Sequence, residues 1–244
     1  MQETRPSRFV QSPKNFSTML IPVEQDFLPK LKAHLLPRLK AILIEEARLN
    51  VEGDAVPIPN LSGASEADQD RLFFKSDRMY RHHLLRVNYT AYDVRRSQDI
   101  VHPGTSHRDI MVLADDDNPE SHPFLYARVL GIFHVNVIYT GCGMLDYSAR
   151  RLDFLWVRWY QCMTSFSWKD YRLDEVRFPP MAQNQSFGFV DPHDVLRACH
   201  VIPAFKRGMV RFDDASISRI ARDAEDWKSY CVNRWECFSS TGIG

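Results

Sequence analysis

Acids, histidines, cysteines and arginines are the side chains through which this 244-residue chain could do chemistry. His102 and His107 flank Pro103-Gly104-Thr105, with Asp109 two residues further on. Two imidazoles and a carboxylate form a donor set for a divalent cation, and a further acid would make it a metal-dependent nuclease centre. The spacing has neither a helix to present both rings nor a second ligand pair, so no metal ligand is assigned. Asp115-Asp116-Asp117 precedes Asn118-Pro119, a turn signature in which neighbouring carboxylates diverge into water. Asp93, Asp109, Asp153 and Asp191 could converge on two metal ions, as almost any four acids could. Cys162 and the pair Cys199-His200 suggest a thiolate nucleophile, but a lone cysteine also serves as a small core residue. GxSxG, the P-loop, GxGxxG and HExxH are all missing. The reading is non-enzymatic, with no catalytic residue, no metal and no cofactor.

The basic residues give a better lead. From Arg71 to Arg108 there are eight basic residues against three acids, a net charge of +5, and five acids follow in Asp109–Glu120. A neutral chain can therefore carry a local positive face for phosphates, or else pair these arginines with the neighbouring acids. Arg81, Arg86, Arg95, Arg96, Arg150 and Arg151 are the expected phosphate or carboxylate partners, with Trp168 as an exposed stacking platform. Trp156, Trp159 and Trp168 with Tyr160 and Tyr171 could instead build an aromatic cage for a methylated lysine, although LDFLWVRWY reads as a core strand.

The balance of 31 Lys+Arg against 31 Asp+Glu excludes a broadly basic coat. Five cysteines, with no CxxC pair, do not read as a secreted disulfide framework. No apolar run is long enough to span a bilayer, and MQETRPSRF lacks a signal-peptide core. The expectation is an intracellular protein, nuclear or cytoplasmic, with no membrane partner and no small-molecule cofactor.

The elements that must position these residues follow from periodicity. Residues 1–22 read as a flexible tail. Residues 23–50 read as a helical segment, with Phe27, Leu28, Leu31, Leu35, Leu39, Ile42 and Leu43 on one stripe and Pro37 expected to kink it or divide it into two short helices. Residues 51–70 read as a linker, 71–238 as the main domain and 239–244 as a tail. Alternation predicts strands at 84–94, 109–113, 124–139, 152–160, 171–178 and 227–235, with Gly131 at a bulge or corner. Asp191-Pro192-His193-Asp194 has the residues of a helix start, and a helix of about two turns is expected after it. Strands at hairpin-like spacing argue against a parallel sheet. The predicted fold is mainly β with peripheral helices (α+β), a small antiparallel barrel plus the N-terminal helical segment.

The runs HHLLRVNYTAYDVRRSQDIVHPGTSHRDIMVL, HPFLYARVLGIFHVNV, RRLDFLWVRWY, SFGFVDPHDVLRACHVIPAF and DWKSYCVN occur in this order. Together with FLPKLKAHLLPRL, they resemble the C-terminal accessory region of basidiomycete Plavaka-type transposase-derived proteins, relatives of CACTA-type DNA transposons, over roughly residues 24–235. In that family the catalytic carboxylates are placed upstream, so no such residue is carried over. The resemblance implies an SH3-like or bromo-adjacent-homology-like barrel acting as an accessory module. Its implied partners are DNA, a chromatin protein or other transposase subunits. The chain departs from the family pattern at Gln161–Ser167 and at its abrupt end. A nuclease remnant or a decayed transposon fragment without activity is the alternative.

Overall fold

A computed structural model describes residues 26–49, 66–90, 96–115, 121–141, 147–163, 173–211, 216–218 and 220–233. The expected tails 1–22 and 239–244 lie outside the described residues, as do most of the expected linker and the turn Asp116–Asn118. Eleven strands are described, nine of them in one sheet. They are β1 (Leu72–His82), β2 (Leu85–Thr90), β3 (Arg96–Val101), β4 (Asp109–Leu113), β5 (Phe124–Tyr139) and β6 (Arg150–Trp159). Then come β7 (Gln161–Cys162), β8 (Asp174–Arg177), β9 (Phe187–Val190), β10 (Val195–Pro203) and β11 (Tyr230–Asn233). The path runs β7-β8-β11-β10-β4-β5-β6-β9, with β1 pairing β5 off the path and β2–β3 forming a separate ribbon. The protein is mainly β, its described path has two ends, and the strand pairs β10–β11, β10–β4, β11–β8, β2–β3, β4–β5, β6–β9 and β7–β8 are antiparallel.

The chain divides into two compact units. The first contains His82–Ile132 and Phe154–Gly244. Its β4 is buried on both faces, which is why DIMVL carries no alternation. Ile110 and Val112 join Ala127, Val129, Leu155 and Val157 in one apolar cluster. Met111 joins Phe124, Tyr126, Tyr160, Val176 and Tyr230 in another. The β2–β3 ribbon is clamped onto β10, where Asp99 accepts from Arg197 Nε at 2.7 Å and from the Ala198 amide at 3.1 Å. The Arg197 guanidinium also lies 3.5 Å from the Tyr89 ring centroid.

The second unit contains Val10–Arg81 and Phe133–Asp153, and β1 is described with it because only the strand's last residue falls outside. Helix α1 (Phe27–Leu49) buries Phe27, Leu31, Leu35, Leu36, Leu39 and Leu43, each leucine contributing about 2 kcal/mol through lost apolar surface. Along the unit's share of β5, Phe133, Val135, Val137 and Tyr139 are buried, while His134, Asn136 and Ile138 are half-exposed. Arg150 ties β6 to α1 through Glu46 (2.6 and 2.8 Å), and Arg38 of α1 donates to the Asp153 carbonyl at 2.8 Å. Lys40 of α1 pairs with Asp68 of the short helix α2 (Glu66–Gln69) at 2.6 Å and sits over the Tyr139 ring. The helix thus meets the buried side of β5 at Tyr139.

Three local expectations change. Pro37 lies inside one helix instead of dividing it: it is exposed, so the missing amide faces water. Asp191 does cap a turn, accepting from the His193 amide at 3.0 Å, but only a 3-10 turn, Pro192–Asp194, follows. The expected helix is strand β10, drawn into extended form by pairing with β4 on one side and β11 on the other. Residues 66–69, inside the expected linker, form α2. Gly131 lies within unbroken β5.

Candidate functional site

The candidate basic residues divide into those that are neutralised and those that are not. Arg150 is held by Glu46, and Arg151 forks onto Asp153 at 2.6 and 3.1 Å. Arg108 reaches Glu225 at 3.5 Å. Arg81 and Arg86 are exposed on β1 and β2, and Arg86 stands opposite Ile100 of β3. Arg96 opens β3, whereas Arg95 and Trp168 lie outside the described residues.

On β1, Lys75 and Arg78 join Arg81 as exposed cations, and among the described residues none of the three has an ion-pair partner. Asp77 is the one acid on this strand. Ser76 and Asp77 take left-handed backbone, with φ of 59° and 50°. This local irregularity breaks the alternation of β1 and leaves four consecutive residues, Lys75 to Arg78, exposed. Beyond it, Tyr80 stacks on His134 at 4.6 Å with the rings within 7° of parallel, and Arg78 shares the Tyr80 side of β1.

In the first unit the charged residues turn inward. Asp109 and Arg128 are direct cross-strand partners on β4 and β5, joined at 3.4 Å. Arg158 of β6 donates to Asp226 at 2.6 Å, and Arg128 reaches the other oxygen of Asp226 at 3.4 Å. Tyr160 donates to Asp109 at 2.9 Å and Tyr230 to Asp226 at 3.4 Å. All four charged side chains are at most 6% exposed. Burial pushes both carboxyls above the ordinary range, against the pull of the arginines. An arginine does not give up its proton in a protein, so two buried cations demand two carboxylates.

Phe178 lies under both guanidiniums, 4.6 Å from Arg128 and 3.9 Å from Arg158, with Tyr160 and Tyr230 completing the box around Arg128. An aromatic cage does exist here, and its cation is the protein's own. Trp156 is buried and Trp159 packs against the first cluster, so both serve the core.

The nucleophile and loop-metal readings find no geometry. Cys199 is buried and His200 exposed, because neighbours on a strand face opposite ways. Burial, then the nearby Asp174, pushes the Cys162 thiol up to about 12, so it is not a thiolate at neutral pH. Asp109 is committed to Arg128 and Tyr160. His102 Nδ1 instead accepts from the Gly104 amide at 3.0 Å, and the His102 amide donates to the His107 carbonyl at 2.6 Å, closing the loop on itself. Among the described residues no helix is long and apolar enough to cross a membrane. Comparison with family models, curated proteins and solved structures finds no match.

Proposed function

We propose that the chain is a non-enzymatic binding module whose exposed strand β1 holds the phosphate backbone of duplex DNA. The observation that carries this reading is the row Lys75, Arg78 and Arg81, exposed on one strand and without ion-pair partners among the described residues. Most of the other predicted basic partners with described side chains are already paired with acids. Phosphate contacts position a protein without reading bases, so this surface binds duplexes of unrelated sequence alike. The role fits the accessory region that the sequence resembles, and with it a nuclear location. We also read the antiparallel sheet and its helical cover as an SH3-like or bromo-adjacent-homology-like interaction fold.

The test is fluorescence anisotropy of labelled duplexes over a salt series. Three phosphate contacts give a slope of log affinity against log salt of about −2.7. Binding that is strongly sequence-selective, or indifferent to salt, would sink the proposal.

A further inference from the structure

Phe205 is 66% exposed at the start of a 3-10 turn, Phe205–Arg207, that follows β10 in the first unit. A single apolar side chain in water needs no explanation by itself. Here, however, the ring is held in place and stands among cations. Ala204 donates its amide to the Ser229 carbonyl at 3.0 Å, and Lys228 donates its amide to the Gly208 carbonyl at 3.1 Å, so both ends of the turn are tied to one segment. Gly208, at φ 78°, supplies the left-handed residue that turns the chain back. Met209 then bridges Trp227, and Arg207 ties the turn to β8 through Glu175 at 2.9 Å. The Phe205 ring meets Trp227 at right angles, with centroids 4.9 Å apart and planes at 82°. Trp227 in turn packs on the buried cluster of Tyr160 and Tyr230. A perpendicular contact takes at most one face of the Phe205 ring and leaves the other to solvent.

Lys206 follows the ring in the turn and Lys228 lies across from it, both exposed. Among the described residues neither lysine has an ion-pair partner, and the nearby Asp226 is committed to Arg158. We propose that this turn binds a single-stranded nucleic acid, with one unstacked base on the Phe205 ring and its phosphates on Lys206 and Lys228. An aromatic platform beside cations is how single strands are held with little sequence preference, since every base has a π-face. In a duplex each base is already stacked on its neighbours and would have to be extruded first, which costs energy. The turn and its lysines belong to the first unit, so the site stands apart from the β1 row of the second and does not rest on it. An anionic membrane surface, the competing occupant, calls for a broader apolar face than one ring followed directly by a lysine.

The experiment titrates the full chain into labelled oligothymidylate and oligouridylate of about twenty nucleotides, read by anisotropy. The tighter of the two tells whether the strand is DNA or RNA. Phe205→Ala should weaken binding about fivefold or more, the low end for one lost base stack, with an unchanged salt slope. Phe205→Trp, which keeps a stacking face, should bind as the wild type does. Lys206→Gln/Lys228→Gln should instead flatten the salt slope by about 1.4, at about 0.7 for each phosphate on a single strand. Phe205→Ala should leave duplex affinity and its salt slope unchanged, which separates this site from the β1 row. Far-UV circular dichroism confirms that each variant is folded, as expected for changes at exposed positions. The proposal fails if the wild type binds neither oligonucleotide at low salt, or if folded Phe205→Ala binds both as it does. It also fails if Phe205→Ala weakens duplex and single strand equally. Binding to phosphatidylserine vesicles that Phe205→Ala abolishes, with no oligonucleotide bound, would assign the turn to a membrane surface and overturn the proposal.

Discussion

Asp226→Ala should be among the most damaging single changes in the first unit. The carboxylate accepts from Arg158 at 2.6 Å and from Arg128 and Tyr230 at 3.4 Å, all within the buried box floored by Phe178. Removing it leaves two enclosed guanidiniums with Asp109 as their remaining carboxylate. Breaking a buried pair in this way costs about 3–5 kcal/mol, because the surviving charge stays desolvated. Set against a total stability of about 5–15 kcal/mol, that is about a fifth or more of the whole. Urea unfolding at neutral pH, followed by tryptophan fluorescence, reads the effect directly. With a denaturant slope of about 3 kcal/mol per molar, the midpoint should fall by 1 M or more. Arg151→Ala is the internal comparison: its pair with Asp153 is about 40% exposed on both sides, and such pairs are worth about 0–1 kcal/mol. Equal midpoint shifts for the two variants, or a shift for Asp226→Ala within error, would refute the reasoning.

Two further outcomes follow from the titrating groups. A thiol pushed up to about 12 carries about a thousandfold less thiolate than one at the reference value of 9.0, so Cys162 should label with iodoacetamide far more slowly in the native protein than in urea. Peptide mapping checks this, and equal rates would contradict it. The Asp68 carboxyl is lowered below 3.8, chiefly by its hydrogen bond from Lys40, so the stability it supplies is present above pH 3.8 and lost as the pH falls through its folded value. Acid unfolding should therefore be steeper in the wild type than in Asp68→Asn, whereas superimposable acid limbs would remove Asp68 from the account.

The long strands were legible because their apolar residues are local: Asp109–Leu113 and Phe124–Tyr139 match the expected strands, and β6 runs from Arg150 to Trp159 where 152–160 was expected. β1 was not, since Ser76 and Asp77 in left-handed backbone disrupt the alternation that marks a strand. At β10 the local signal was real and short-lived: Asp191 caps its turn, and two neighbouring strands then override any helical tendency of Val195–Cys199. The positive stretch 71–108 was visible by counting. Which of the candidate cations are free was not, because Arg150 finds Glu46 more than a hundred residues away and only the folded chain brings them together.

The central claim, that the exposed cations of β1 hold phosphates, is tested most directly by the salt slope of duplex binding in Lys75→Gln/Arg78→Gln/Arg81→Gln beside the wild type. Each lost phosphate contact should flatten the slope by about 0.9, so the triple variant should lose about 2.7 and bind weakly at every salt concentration. An unchanged slope in a folded triple variant, or no duplex binding by the wild type at low salt, would contradict the account.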